Sequence, residues 1–255
     1  MAAALPPHTP WGGAMNSNEA NKPAMTATSS RATSDEWLNA PWAGAMMRCI
    51  ADPAADLDIV IASDWPDWMP LGTALADPYI RVKLGRWLLR GQYTAPSAII
   101  SASDAQRVRF ALLPAPDAVR LMCLAGAWTG VSSLLGLLRN VDVEAARAVL
   151  GEEAVAFASH AVLLPRPTVE LMSAIGASEM PTEPRALLHC GAAMFGLAIG
   201  GIPPVLRARL RLRRPASIWM AAADACRNDS AGEDAFRAMR RLVRKSMPTW
   251  SHWFN

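Results

Sequence analysis

The chain has 255 residues, 52% of them hydrophobic and 18% charged, with a formal net charge of +3. That length allows one large domain with a sizeable core, and the composition is apolar without reaching the level of a polytopic membrane protein. Cys49, Cys123, Cys190 and Cys226 stand alone in apolar stretches with no CxxC or paired His/Cys spacing, so neither a disulfide framework nor a zinc site is supported, and buried thiols in a reducing compartment are expected.

The net charge conceals a segregation. Between positions 207 and 245 there are eleven basic residues against four acids, which leaves the remainder of the chain about four units acidic. Such polarity suits an acidic protein partner, an anionic membrane surface or nucleic acid. Lysine is confined to Lys22, Lys83 and Lys245, and the abundance of Ala, Arg and Pro also follows from a GC-rich coding sequence.

Residues 1–33 are rich in Ala, Pro, Ser, Thr and Asn without apolar periodicity and predict a disordered tail. They lack the basic start and continuous apolar run of a secretory signal. A helical domain is predicted over 34–247, opening on a capping box from Thr33 to Glu36 ahead of Trp37 and Leu38. Leu57, Ile59 and Ile61 alternate as a short strand or sit on two helical turns. Pro66 and Pro70 then bound a loop carrying Trp65 and Trp68, an aromatic pair that serves either as a plug over the core or as a partner anchor. Asp77 as N-cap and Pro78 at the first helical position predict a helix to Leu89. A second capping box, Ser103 to Gln106, opens a short helix ended by Pro114 and Pro116.

The organising stretch is 116–164. Residues 121–138 carry no charge, and an all-round apolar helix is a buried one. Asp142 caps a second, amphipathic helix that closes at Leu150-Gly151, and Glu152-Glu153 open a third with Val155, Phe157, Ala158 and Val162 as inward positions. The reading is a central helix with the next two folded onto it. Pro165 and Pro167 break the run, a short helix spans 168–175, and Pro184 starts a second apolar helix that ends before Pro203-Pro204. Both apolar helices fall just short of the roughly 20 residues a bilayer needs, although Gly126 and Gly130 have the spacing of a transmembrane packing face.

From 205 to 213 the pattern changes. Arg207, Arg209, Arg211 and Arg213 alternate with Leu206, Ala208, Leu210 and Leu212, a period of two that reads as a strand whose arginines protect an edge or form a basic surface. Two amphipathic helices over 216–227 and 233–245 follow, then an aromatic C-terminal tail, 248–255, with Trp250, Trp253 and Phe254. The fold class expected is mainly α: a single multi-helix globular domain around buried apolar helices, with at most a short strand or two.

Chemistry is sparse. No GxxxxGK[ST], GxGxxG, GxSxG or HExxH occurs. His8, His160, His189 and His252 are scattered, and adjacent Glu152 and Glu153 do not face each other on a helix. No catalytic, cofactor-binding or metal-binding residue is assigned, and an enzyme is disfavoured.

A family resemblance adds to this. The Gly-rich apolar helix ending Leu137-Leu138-Arg139, the amphipathic helix after it, and Val149-Leu150-Gly151-Glu152-Glu153 running into Phe157-Ala158 resemble the SctK group of type III secretion systems, which includes the YscK, OrgA, MxiK and Hrp counterparts. Trp65-Pro66-Asp67-Trp68 and the run from Leu210 to Pro215 are similar to segments of those proteins in the same order, so that the resemblance covers 36 to about 220. It implies a non-catalytic adaptor in the cytoplasmic sorting platform, peripheral to the inner membrane. Its partners would be the cytoplasmic domain of an inner-membrane ring protein and the SctQ-type scaffold, with no cofactor, nucleic acid, small-molecule substrate or membrane insertion. The partner-binding candidates are Arg207, Arg209, Arg211, Arg213, Trp65 and Trp68. The rival expectations are an inner-membrane-associated helical protein with one or two marginal spans and an Arg-rich nucleic-acid binder.

Overall fold

The computed structural model describes residues 39–55, 70–89, 105–137, 143–177, 181–211, 213, 216–225 and 231–255. Among these the chain is a multi-helix domain without a strand. The expected tail 1–33, both capping boxes at their first residues, the 57–61 alternation, Trp65 and Trp68 lie outside the described residues.

Two helices make the centre: α5 (Ala115–Thr129) and α10 (Pro184–Ala198). Each begins with proline in its first turn, where the missing N–H costs nothing. Each is buried along most of its length, and they pack against each other through glycine. A Cβ on Gly126 would strike the Leu187 carbonyl, and one on Gly191 would strike the Met122 carbonyl. The two backbones therefore touch, a separation that any larger residue would widen. On the far side of α10, Gly196 lies in the same way against the Ala222 carbonyl of α12 (Ala216–Ala225).

The remaining helices cover this pair. Over α5 lies α8 (Glu152–Ala161), reached through α7 (Val143–Leu150), with Gly151 between them as the expected glycine stop, at φ 84° and ψ 156°, an extended positive-φ conformation rather than the left-handed helical one. Against α10 lies α13 (Gly232–Ser246), which buries Phe236, Met239, Leu242 and Val243. Smaller helices complete the shell: α1 (Ala43–Ala51), α2 (Leu71–Ala76), α3 (Pro78–Leu88), α4 (Ala105–Ala111), α6 (Val131–Leu137), α9 (Val169–Ala174), α11 (Pro204–Leu210) and α14 (Pro248–Ser251), the last running into a 3-10 turn, His252–Phe254. The Asp77 carboxylate caps α3, accepting from the amides of Tyr79 at 2.8 Å and Ile80 at 3.2 Å. Among the described residues no helix is long and apolar enough to cross a membrane.

Three expectations are corrected. Over 121–137, its described residues, the uncharged run is two helices rather than one, divided at Gly130, whose missing side chain leaves room for Leu187; the Gly130 amide still donates to the Gly126 carbonyl at 3.0 Å. The centre is accordingly the α5–α10 pair and not a single rod. The alternating arginine run is helical as far as Leu210, because Pro203 and Pro204 lead into α11, which puts Arg207 and Arg209 on different faces of that helix. The aromatic segment 248–255 is part of the interior: Trp253 and Phe254 are buried, and the Phe254 ring lies 4.3 Å from that of Phe110, which also meets Phe195 and Phe236 edge-on.

The glycine contacts yield a paired prediction. Gly191→Ala should cost at least about 1–3 kcal/mol of stability, because a backbone rather than a flexible side chain must yield. Gly136→Ala, in α6 with open space around it, should be neutral or stabilising by up to about 1 kcal/mol. Urea unfolding of both variants measures the contrast.

Candidate functional site

The four arginines proposed as a surface divide between interior and solvent. Arg209 is buried, its Nε donating to the Pro53 carbonyl at 3.0 Å and its Nη1 to the Cys49 sulfur at 3.0 Å. Arg213 is only 2% exposed; it lies 4.9 Å over the Trp219 ring and donates to the carbonyls of Leu113 and Ala111. Ala111 is the last residue of α4 and Leu113 lies two residues past it, so Arg213 satisfies carbonyls at and just beyond that helix end. Arg211 is exposed and paired with Asp224 at 2.9 Å, and Arg207 is half-buried on the same face. A contiguous basic surface over 207–213 is therefore not formed: Arg209 and Arg213 hold the fold, and only Arg207 and Arg211 face outward.

Candidate chemistry disperses in the same way. Glu153 makes a two-pronged ion pair with Arg120, Nε to Oε2 at 2.7 Å and Nη2 to Oε1 at 2.5 Å, while Glu152 pairs with Arg147 at 2.9 Å. The Glu153 hydrogen bond raises the Arg120 pKa further. His160 and His189 are exposed on separate helices. Burial pushes the Cys123 thiol up to about 11 and raises that of Cys190, which keeps both protonated and poor nucleophiles at neutral pH. Cys226 lies outside the described residues. No group of three or more His, Cys, Asp or Glu among the described residues is placed to hold a metal.

A charged surface does form, on α13. Arg237, Arg240, Arg241, Arg244 and Lys245 line one open groove of about 520 Å³. The helix folds this way because its apolar positions, Phe236, Met239, Leu242 and Val243, recur at helical spacing and turn inward, leaving the cations outside. Its acids sit in the first turn and its cations in the last, which suits the helix dipole. Several cations have partners at the edges of the groove. Arg237 pairs with Glu233 at 3.1 Å, Arg240 donates to the Phe254 carbonyl at 2.8 Å, and Arg244 donates to the Asn255 side chain at 3.0 Å. Arg241 and Lys245, exposed one turn apart, make no hydrogen bond or ion pair with another described residue. Beneath them Arg109 is held between the Trp42 ring, 5.5 Å away, and the Trp253 carbonyl, 2.6 Å away; burial and then the neighbouring Arg240 lower its pKa. These cations belong to the C-terminal basic excess, but the candidates named from the sequence are Arg207, Arg209, Arg211 and Arg213 together with Trp65 and Trp68, the last two outside the described residues. The usable signal was the spacing of 237, 241 and 244 along one face of an amphipathic helix.

A second opening, of about 450 Å³, lies where α5 ends, walled by Trp128, Val131, Val169 and Met172 with Arg166 at its margin. Comparisons with family models, curated proteins and solved structures find no match to this chain.

Charge reversal separates the two classes of arginine. Arg209→Glu should lower stability by more than about 3 kcal/mol, since it removes a buried donor and buries an anion among carbonyls. Arg211→Glu should cost about 1 kcal/mol or less, both members of its pair being exposed. Thermal and chemical unfolding of the two variants compares them directly.

Proposed function

We propose that this chain is a non-catalytic adaptor of the cytoplasmic sorting platform of a type III secretion system, joining the cytoplasmic domain of an inner-membrane ring protein to the SctQ-type scaffold. The resemblance of its central helices to the SctK group motivates the system, and the cationic groove on α13 supports the mode of action. Five cations within nine residues, two of them without a partner among the described residues, form a surface whose electrostatic complement is an acidic face on a partner. The helices beneath carry the groove on a close-packed base, so docking requires no folding of the surface that docks. The arginine fork suits carboxylates held in a fixed arrangement, and four of the five cations are arginine. An adaptor of this kind is peripheral to the inner membrane, and its charge segregation leaves less basic surface elsewhere for a second partner.

Nucleic acid is the other polyanion that such a groove accommodates. It differs in readout: binding to phosphates falls steeply with salt and is indifferent to the identity of a protein partner.

The test is pairwise co-purification of the full chain with the SctQ-type scaffold and with the ring protein's cytoplasmic domain, against Arg241→Glu/Lys245→Glu. The double reversal should weaken one pairing by about ten-fold or more with unchanged circular dichroism and melting temperature. Undiminished binding to both partners, or tight binding of duplex DNA in their place, would contradict the proposal.

A further inference from the structure

The opening at the end of α5 has three unmet features. Trp128 forms part of its wall and is 3% exposed, yet the indole Nε1 hydrogen has no acceptor. Buried donors in folded proteins are nearly always paired. Arg166 lines the margin without a hydrogen bond or ion pair to another described residue, and no carboxylate is among the lining side chains. Val169, in the lining itself, is 81% exposed, with Ser132 and Ser173 exposed beside it in the lining.

The connector that carries Arg166 is held in shape. Pro165 and Pro167 fix φ on either side of Arg166. The Thr168 hydroxyl accepts from the Leu171 amide at 3.2 Å and donates to Asp234 of α13 at 3.2 Å, which ties the connector to the body of the domain. A largely apolar cavity with a few polar atoms, in the size range of binding pockets, beside an exposed valine, is the arrangement that receives an anchor side chain.

We infer that the Trp128 cavity is an anchor pocket for a partner protein segment that inserts one large apolar side chain and sets a neighbouring Asp or Glu against Arg166. A small carboxylic acid would meet the guanidinium but leave Val169, 81% exposed, in water, whereas a polypeptide covers both. The inference rests on the docking reading above and deepens it: the pocket gives the partner's apolar and acidic signature, in a place separate from the α13 cations.

The test is selection of a phage-displayed random peptide library on the full chain, followed by fluorescence polarisation with the consensus peptide. Enriched peptides should share Trp, Phe or Leu with an Asp or Glu within about four residues. Arg166→Glu and Val169→Asp change exposed side chains, and each should weaken the consensus peptide about ten-fold or more. Trp128→Phe, which keeps the ring and removes the N–H, should weaken it less. Arg241→Glu/Lys245→Glu should bind the peptide as the parent does, so a failure here is distinguishable from a failure of the α13 groove. The inference is overturned if no peptides are enriched, if the consensus is basic, if the peptide binds Arg166→Glu and Val169→Asp undiminished, or if only phenylacetate, used as a small-acid probe, binds in an Arg166-dependent way.

Discussion

The contact on which the rest of the molecule depends is backbone against backbone, where α5 and α10 meet at Gly126 and Gly191. Neither glycine is needed for an unusual torsion; each is needed because a carbonyl of the other helix occupies the space a Cβ would take. Small residues at a helix interface shorten the separation of the axes and multiply dispersion contacts. Once that distance is set, α12 seats against Gly196 on the outer side of α10, α13 packs along it, and α8 lies over α5. The two openings are at the edge of this arrangement: one beside α13, one where α5 gives way to α6 at Gly130.

Arginine does much of the stitching between elements, which explains why so basic a segment yields so little basic surface. Arg209 reaches the Pro53 carbonyl, Arg213 the carbonyls at and just beyond the end of α4, Arg109 the Trp253 carbonyl, and Arg107 the Gly200 carbonyl just past α10. Each guanidinium has five donors and a long apolar stem, so it satisfies chain-end carbonyls while its methylenes pack on aromatic or aliphatic neighbours. Lysine would bring one compact charge and a heavier desolvation cost to the same places. What remains at the surface is the residue of this use: the α13 face, where the helix turns its cations away from its own core.

Much of the fold was legible because its signals are local. Proline in the first turn marks α3, α5 and α10, Asp77 caps α3, and Gly151 at positive φ separates α7 from α8 where Leu-Gly-Glu-Glu stands in the sequence. The failures are non-local or too short to carry a period. In the seven residues of α11 a two-residue alternation and a helix with two arginine faces share the same letters, and what favours the helix is the proline pair, Pro203 and Pro204, that leads into it. The ring of Phe254 belongs to the core only because Phe110, far back in the chain, has a face to offer it. Likewise nothing in the letters around Trp128 shows that its indole is buried without an acceptor.

Native-state hydrogen exchange followed by mass spectrometry tests the α5–α10 frame most directly. Amides of residues 121–128 and 187–197 should exchange only through global unfolding, with one shared free energy and the same dependence on urea. Exchange of either helix ahead of the other under native conditions, with its own lower free energy, would contradict the claim that their backbone contact holds the domain together.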